Sequence, residues 1–150
     1  MNHGPTLSIV IPTHKRAATL RQCLDHLAVQ TIAGELEVIV VNDGGDEETR
    51  EMMRATSGKR QAARYFEISK SQQGVARNRG VEKATAPITL FIGDDIFLAP
   101  DACEIHLRTH TGIRYSAFGI RKAVATLGFT TWDPSVGITP VMRWLDKTGW

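Results

Sequence analysis

The sequence predicts an α/β fold in which helices cover both faces of a mostly parallel central sheet, giving a three-layer sandwich. Short apolar segments alternate four times with segments of helical length, and the connections between them are short. The first, second and fourth apolar segments are almost continuously hydrophobic, which is typical of parallel strands buried on both faces. With 150 residues, 42% of them hydrophobic, the chain suits one domain over residues 1–150 with a substantial core.

The first half of the chain predicts two strands and two helices. Residues 7–12 form a β-rich run that ends at Pro12, and residues 17–30 carry apolar side chains three and four positions apart, as in an amphipathic helix. Residues 36–41 predict the second strand, which leads into an Asn-Asp-Gly-Gly turn. The polar segment 46–57 predicts a second helix at the outside of the domain.

The second half predicts a third strand at residues 63–68 and a fourth at 88–93, with a helix over residues 74–84 between them. This helix carries small residues at every fourth position and can therefore approach the sheet closely. Such an approach accounts for Gly80, since glycine inside a helix costs about 1 kcal/mol. Another helix is predicted over residues 100–110. Farther along, the sequence indicates loop or weak strand at 112–124, a strand at 125–132 and a short helix at 139–147.

Charge and composition exclude several classes of protein. The formal net charge of +2 is spread along the chain, without the basic patch of a dedicated nucleic-acid-binding protein. No apolar run approaches the ~20 residues of a membrane span, and the amino terminus lacks the features of a signal peptide. We therefore expect a cytoplasmic protein, either free or peripheral on the cytoplasmic face of a membrane. Cys23 and Cys103 lie on apolar helical stripes and are expected to be buried free thiols.

The fourth strand leads into two adjacent carboxylates, Asp94 and Asp95. Carboxylates this close repel and raise each other's pKa unless a cation or a proton lies between them. Because aspartate supplies hard oxygen ligands, a Mg²⁺ or Mn²⁺ ion carrying a phosphorylated substrate is favoured over zinc. A solvated turn is the alternative, since glycine and aspartate are common turn residues.

Three predicted strands lead into turns that carry functional side chains. Strand one leads into residues 13–16, strand two into Asn42 and Asp43, and strand four into the two aspartates. In an open parallel sheet these ends share one edge, and ligands bind where the strand order reverses. With the strand order 3-2-1-4 the turns would meet in one crevice, which would suit a nucleotide. Asp43 would accept hydrogen bonds from the nucleotide base, basic residues would lie near the phosphates, and the carboxylates would bind a metal. No glycine-rich loop follows strand one, which excludes a dinucleotide fingerprint and a P-loop.

Five segments of the chain form a series with a specific order and spacing. They are residues 7–13 (LSIVIPT), 20–31, 38–45 (VIVVNDGG), 74–80 (GVARNRG) and 93–95 (GDD). Together they resemble family 2 glycosyltransferases of the GT-A fold, a Rossmann-like fold, and residues 128–132 and 140–145 are similar to the acceptor-side region of some members. The resemblance implies that residues 1–110 hold a donor-binding core and that residues 111–150 begin an acceptor-side region.

The resemblance also implies a chemistry. It implies a nucleotide-sugar donor, which we expect to be a UDP-sugar, together with a divalent Mn²⁺ or Mg²⁺ ion. The sugar would be transferred with inversion to a glycan, lipid or small-molecule acceptor that the sequence does not identify. Carried over by position, Pro12, Thr13 and Arg16 would line the nucleotide. Asp43 would contact the base, and Arg77 would lie near the base or the diphosphate.

The chain departs from the family pattern at the metal motif and at the catalytic base. The family's metal motif is an Asp-any-Asp triplet, and here Gly93 replaces the first acid. Asp95 is therefore the expected metal ligand, with Asp94 facing the ribose or a bound water. In relatives the catalytic base is an Asp or Glu well downstream of the metal motif. Here neither Asp133 nor Asp146 lies in a stretch like the family's base motif. The base stays unassigned, and the chain is interpreted as the donor half of a longer enzyme.

Two other functions stay open from the sequence. A truncated, non-catalytic module would keep affinity for nucleotide and metal, as a homodimer; Trp150 at the end of the chain indicates an interface or a truncation. A metal-dependent nucleotidyltransferase shares the sheet, but it usually carries a glycine-rich, basic signature after strand one that is missing here. His106 and His110 lie four apart on a predicted helix and are interpreted as a packed or solvated pair rather than metal ligands.

Overall fold

Strands and helices alternate along the residues that this computed structural model describes, namely 4–56, 63–111 and 123–126. In chain order they are β1 (Leu7–Thr13), α1 (Ala17–Ala28), β2 (Leu36–Asp43), α2 (Glu47–Thr56), β3 (Arg64–Ile68), α3 (Gln73–Lys83), β4 (Ile88–Phe91), α4 (Ala102–Thr111) and β5 (Ala123–Thr126). A short 3-10 turn at Ala33–Glu35 precedes β2.

β1 lies at the centre of a parallel five-stranded sheet with the order β3-β2-β1-β4-β5. It pairs with β2 along its whole length, to Thr13 opposite Asn42, and with β4 from Leu7 to Val10. The predicted order 3-2-1-4 is confirmed, and β5 is added beside β4. Because the chain runs from β1 outward to β3 and then crosses to β4 on the other side, the strand order reverses at β1. Ligands bind at such a point in open α/β sheets.

Helices lie on both faces of this sheet, in the three layers that the sequence predicts. On one face α1, α2 and α4 bury Leu20, Met53 and Cys103 in a shared apolar core with the strands. On the other face Ala76 of α3 packs in a second core that contains Val10. Both cysteines are buried free thiols, as predicted.

Two strands end at different residues from those predicted, and both differences affect the cleft at the edge of the sheet. β4 ends at Phe91 rather than Gly93 because its pairing with β1 stops at Val10, although the Ile92 N–H still donates to the Val10 carbonyl at 3.2 Å. β2 continues to Asp43, which is a paired strand residue and not part of the turn. Asp43 is therefore held by the sheet, while the two later aspartates lie on a turn beyond β4.

Some predicted features fall outside the residues that the structure describes. β5 begins before the strand predicted at residues 125–132, and the remainder of that strand is outside the described ranges. The helix predicted at 139–147 and both carboxylates considered as a base, Asp133 and Asp146, are outside them as well. Among the helices that are described, none has the length and apolar character needed to cross a lipid bilayer.

α3 approaches the sheet closely at Gly80, as its small-residue pattern predicts. A Cβ built at Gly80 would lie 2.3 Å from Cγ1 of Val10, a β-branched side chain with few rotamers. Gly80→Ala is therefore expected to destabilise the fold. Overpacking of this kind costs about 1 to 3 kcal/mol, against a gain of about 1 kcal/mol from better helix propensity. Urea denaturation followed by circular dichroism measures the difference in the free energy of unfolding.

Gly74, in the first turn of the same helix, provides the matched control. Apart from its chain neighbours and the backbone of its own helix, no heavy atom of the described residues lies within 4 Å of a Cβ built there. Gly74→Ala should therefore leave the free energy of unfolding unchanged or raise it by less than about 1 kcal/mol. In a Val10→Ala background the cost of Gly80→Ala should shrink, because the removed methyl groups make room. Equal stability of the Gly80→Ala and Gly74→Ala proteins would contradict the close approach.

Candidate functional site

A cleft of about 370 Å³ opens at the carboxyl edge of the sheet, beside the end of β1. Its walls are the turns that follow β1 and β4, the end of β2, the segment after β3 and the first turns of α3. The structure brings all seven site residues named from the sequence into this one cleft. They are Pro12, Thr13, Arg16, Asp43, Arg77, Asp94 and Asp95.

The turn after β1 has a backbone conformation that is unusual for its sequence. Lys15 adopts a left-handed conformation with φ of 52°, although it is not a glycine. Its backbone N–H donates to Asp46 Oδ2 at 3.3 Å, and the same carboxylate oxygen accepts from Asn42 Nδ2 at 3.0 Å. Asp46 therefore fixes the turn from outside the cleft. The turn places Arg16 beside the two aspartates that follow β4.

Arg16 spans both aspartates. Its Nη1 lies 3.0 Å from Asp94 Oδ1, and its Nη2 lies 3.1 Å from Asp95 Oδ2. The Arg16 side chain is 48% exposed and that of Asp95 is 52% exposed, whereas that of Asp94 is 6% exposed. The cation that two adjacent carboxylates require is therefore, in this structure, a guanidinium of the chain itself.

Asp94 is held from two sides. Thr13 Oγ1 donates to Asp94 Oδ2 at 2.7 Å, so the two Asp94 oxygens face different partners. Burial raises the pKa of Asp94 above its ordinary value and the charge of Asp95 adds to this, against the Thr13 hydrogen bond and the Arg16 charge. Asp94 is consequently an oriented, buried carboxylate, and Asp95 is the more accessible of the pair.

Asp43 forms the opposite wall of the cleft and is also anchored. Lys70 Nζ lies 2.7 Å from Asp43 Oδ2, and the Ser71 N–H donates to Asp43 Oδ1 at 2.6 Å. The Lys70 hydrogen bond lowers the pKa of Asp43 below its ordinary value, helped by the Ser71 N–H and opposed by burial. Asp43 is therefore a carboxylate anion at neutral pH, with its orientation set by the segment after β3.

Sequence reasoning did not select Lys70, Ser71 or Gln73 as site residues. Lys70 and Gln73 line the cleft, and Ser71 orients Asp43. The sequence does contain a pattern that indicates these residues. The third strand also ends at the carboxyl edge of the sheet, and a polar segment follows it.

Two nitrogen atoms in the cleft lack a hydrogen-bond partner within the described part of the chain. They are Nε of Arg77, on α3, and Nδ1 of His14, in the turn after β1. Both atoms are buried, and a buried polar atom without a partner is costly. Arg77 and His14 both line the cleft, so a small turn of either side chain toward an anionic ligand there would give its nitrogen an acceptor.

The oxygen donors after β4 fit a hard divalent cation. Asp95 is half exposed beside Asp94, and carboxylate oxygens suit Mg²⁺ or Mn²⁺. No group of three or more His, Cys, Asp or Glu side chains that could hold a metal occurs among the described residues. The other ligands would therefore have to be phosphate oxygens and water, and Arg16 would have to release Asp95 Oδ2. His106 and His110 stack at 6.5 Å on α4, and neither lines the cleft.

The model of the family described as Glycosyl transferase family 2 matches residues 8–144. The chain belongs to this family. The predicted family is therefore confirmed, and the cleft lies where members of an α/β fold of this topology bind ligands.

Curated relatives support the same family membership. Validoxylamine A glucosyltransferase of Streptomyces hygroscopicus subsp. jinggangensis is 35% identical over 113 residues, which is 74% of this chain and 27% of the relative. The PGL/p-HBAD biosynthesis glycosyltransferase of Mycobacterium bovis BCG is 39% identical over 94 residues, which is 61% of this chain and 36% of the relative. The family 2 chain thus spans about a quarter to a third of the length of these relatives.

Solved structures identify the fold. TarS 1-349 of S. aureus, in complex with UDP-GlcNAc, superposes with a TM-score of 0.63 at 19% identity, over 71% of this chain and 31% of TarS 1-349. The mannosyltransferase PcManGT of Pyrobaculum calidifontis, in complex with GDP-Man and Mn²⁺, gives a TM-score of 0.57 at 23% identity, over 66% of this chain and 30% of PcManGT. The predicted GT-A fold is confirmed for this family 2 chain.

Proposed function

We propose that the chain is the donor-binding part of a glycosyltransferase that transfers a sugar from a UDP-sugar, with Mn²⁺ or Mg²⁺, to a glycan, lipid or small-molecule acceptor. The observation that carries this proposal is the convergence of Asp43, Arg77 and Asp95 on one cleft of nucleotide size. Solved structures of similar fold contain UDP-GlcNAc in one case and GDP-Man with Mn²⁺ in another, which supports a nucleotide-sugar and a metal here. The cytoplasmic location and the homodimer stay predictions from the sequence.

Asp43 is proposed to recognise the base. It is an anion whose two oxygens are already oriented, and a carboxylate oxygen can accept a second hydrogen bond. Uracil presents an N–H at its pairing edge, flanked by two carbonyl oxygens, and the exposed Lys70 ammonium beside Asp43 could donate to one of these. Cytosine has a lone pair in place of that N–H and offers Asp43 only its exocyclic amine, so we expect it to bind less well.

Arg77 and His14 are proposed to face the diphosphate, Asp95 to hold the metal, and Asp94 to face the ribose or a bound water. A bound Mn²⁺ or Mg²⁺ would supply Lewis-acid neutralisation of the departing diphosphate. The chain's own cations contribute in the same direction, because Arg77 lines the cleft and its Nε has no acceptor among the described residues. Arginine matches phosphate geometry well.

The reaction is proposed to invert the sugar's anomeric carbon. The acceptor oxygen forms a bond to that carbon from the face opposite the diphosphate, the carbon–phosphate-oxygen bond breaks, and the acceptor proton passes to a base. The described lining holds Asp43, Asp94 and Asp95, and each is already hydrogen-bonded or ion-paired. The base is therefore proposed to come from residues outside this lining.

The absence of an unpaired carboxylate in the described lining favours, as the second candidate, a module that binds nucleotide and metal without turnover. A product assay separates the candidates. Sugar transfer or donor hydrolysis with Mn²⁺ supports the enzyme, and binding without either supports the module. Release of pyrophosphate would instead indicate the nucleotidyltransferase.

Calorimetric titration with UDP, GDP, CDP and dTDP, each with and without Mn²⁺, tests the proposed ligand. UDP is expected to bind best, with Mn²⁺ strengthening its binding at least tenfold, or about 1.4 kcal/mol. CDP is expected to bind more weakly because cytosine lacks the ring N–H that would donate a hydrogen bond to Asp43. If none of the four binds in the presence of Mn²⁺, the proposed function is wrong.

A further inference from the structure

Asp95, the proposed metal ligand, and its neighbour Asp94 are already neutralised by a cation of the chain. Arg16 reaches Asp94 Oδ1 with one terminal nitrogen and Asp95 Oδ2 with the other. The guanidinium therefore occupies the space between the two acids. A divalent ion bound at Asp95 would lie beside this positive group and would compete with it for the same oxygen.

Asp94 and Asp95 would not lose their nearby positive charge when Arg16 leaves, because a divalent ion bound at Asp95 would replace the guanidinium. Asp94, the buried partner, would keep the Thr13 hydrogen bond on its other oxygen. Asp95 is half exposed, so water can replace the guanidinium there. The Arg16–Asp95 pair joins two half-exposed groups, and ion pairs of this kind contribute little to stability, so breaking it costs little. Arg16 itself is half exposed on a long, flexible side chain.

An anion in the cleft would offer Arg16 an alternative partner. Guanidinium groups bind phosphate and carboxylate with the same two-pronged geometry. Arg16 lines the same cleft as Arg77, whose Nε lacks an acceptor among the described residues. A diphosphate in this space could therefore attract Arg16 away from Asp95.

We propose that Arg16 is an exchangeable counter-cation that makes metal binding depend on diphosphate binding. This inference rests on the proposed function. In the empty protein Arg16 holds Asp94 and Asp95 and opposes a divalent ion. When a nucleoside diphosphate binds, Arg16 turns to it and frees Asp95, so each ligand raises the affinity for the other by the same factor. Arg16 is a positioning residue in this scheme, because it acts through Asp95.

Titration of Mn²⁺ into the protein with and without UDP measures this coupling. Calorimetry, or the electron paramagnetic resonance signal of free Mn²⁺, gives the dissociation constant in each case. For the natural chain we expect UDP to raise Mn²⁺ affinity by at least about tenfold. For Arg16→Gln we expect Mn²⁺ to bind more tightly than to the natural chain when UDP is absent. The coupling factor should then fall severalfold, to the part that direct coordination of the metal by the diphosphate supplies. Neither readout requires turnover.

Arg79→Gln is the matched control. Arg79 is 47% exposed and pairs with Glu82 at 2.7 Å, so it has nearly the exposure of Arg16 but lies outside the cleft lining. Arg79→Gln should show the same Mn²⁺ affinity and the same coupling factor as the natural chain. Arg16→Lys keeps the charge without the two-pronged geometry and should fall between Arg16→Gln and the natural chain; it also serves as the test if Arg16→Gln does not fold.

The outcomes separate this inference from the proposed function. If UDP and Mn²⁺ do not bind the natural chain together, the proposed function is wrong and the inference falls with it. If they bind with coupling and the Arg16 variants keep both the coupling and the Mn²⁺ affinity of the natural chain, the proposed function stands and the inference is wrong. A lower Mn²⁺ affinity of Arg16→Gln without UDP would also overturn the inference.

Discussion

Asp95→Ala is expected to remove the Mn²⁺-dependent part of UDP binding, which lowers the affinity in the presence of Mn²⁺ by at least about tenfold. The physical reason is that Asp95 is the accessible carboxylate of the pair, whereas Asp94 is buried and shared between Thr13 and Arg16. UDP affinity without metal should change little. Calorimetric titration with and without Mn²⁺ gives both values from the same preparation.

Asp25→Ala provides the control for this experiment, because Asp25 is an exposed aspartate on α1 that does not line the cleft. It should retain the full effect of Mn²⁺. Because the Asp95 side chain is half exposed, its removal should leave the thermal unfolding midpoint close to that of the natural chain. Persistence of the full Mn²⁺ effect in Asp95→Ala would remove Asp95 from the metal site.

Asp43→Asn is expected to weaken UDP binding by about tenfold to a hundredfold, with or without Mn²⁺. A hydrogen bond to a charged group contributes about 1.5 to 3 kcal/mol, and the amide replaces a carboxylate that would accept from the base. Asparagine keeps an oxygen for the Ser71 N–H, so the segment after β3 should stay in place. The factor by which Mn²⁺ strengthens UDP binding should be unchanged, and calorimetry measures it directly.

Glu37→Gln is the matched control for Asp43→Asn. Glu37 lies on the same strand, at its opposite end, and its carboxylate pairs with Arg64 at 2.6 Å. Loss of this charge should lower stability without altering UDP affinity. If Asp43→Asn binds UDP as tightly as the natural chain does, Asp43 has a structural role in joining β2 to the segment after β3.

The fold was predictable because its signals are local and repeated. Near-continuous apolar strands such as β1 and β2 can only be buried between two helical layers. The order 3-2-1-4 was the one that brings the functional turns into one crevice. Element ends were less predictable. β4 stops at Phe91 because its pairing with β1 stops at Val10, and such a limit depends on the register of another strand.

The position of the candidate site was predictable from the sequence, but its full set of residues and contacts was not. Parallel strands place their carboxyl ends at one edge, so Thr13, Asp43 and Asp95 had to lie near each other once the strand order was known. The ion pairs of Arg16 with both aspartates depend on the left-handed turn at Lys15. A sequence pattern does not specify that turn, since lysine seldom adopts this conformation.

Asp46 carries a further consequence of that turn. One of its oxygens accepts from the Thr49 N–H at 2.8 Å and so begins α2, while the other holds the Lys15 N–H and Asn42. A single carboxylate thus joins the start of a surface helix to the rim of the cleft. Unwinding of the first turn of α2 would loosen Asp46, so the presentation of Arg16 is tied to the local folding of a helix whose residues do not line the cleft.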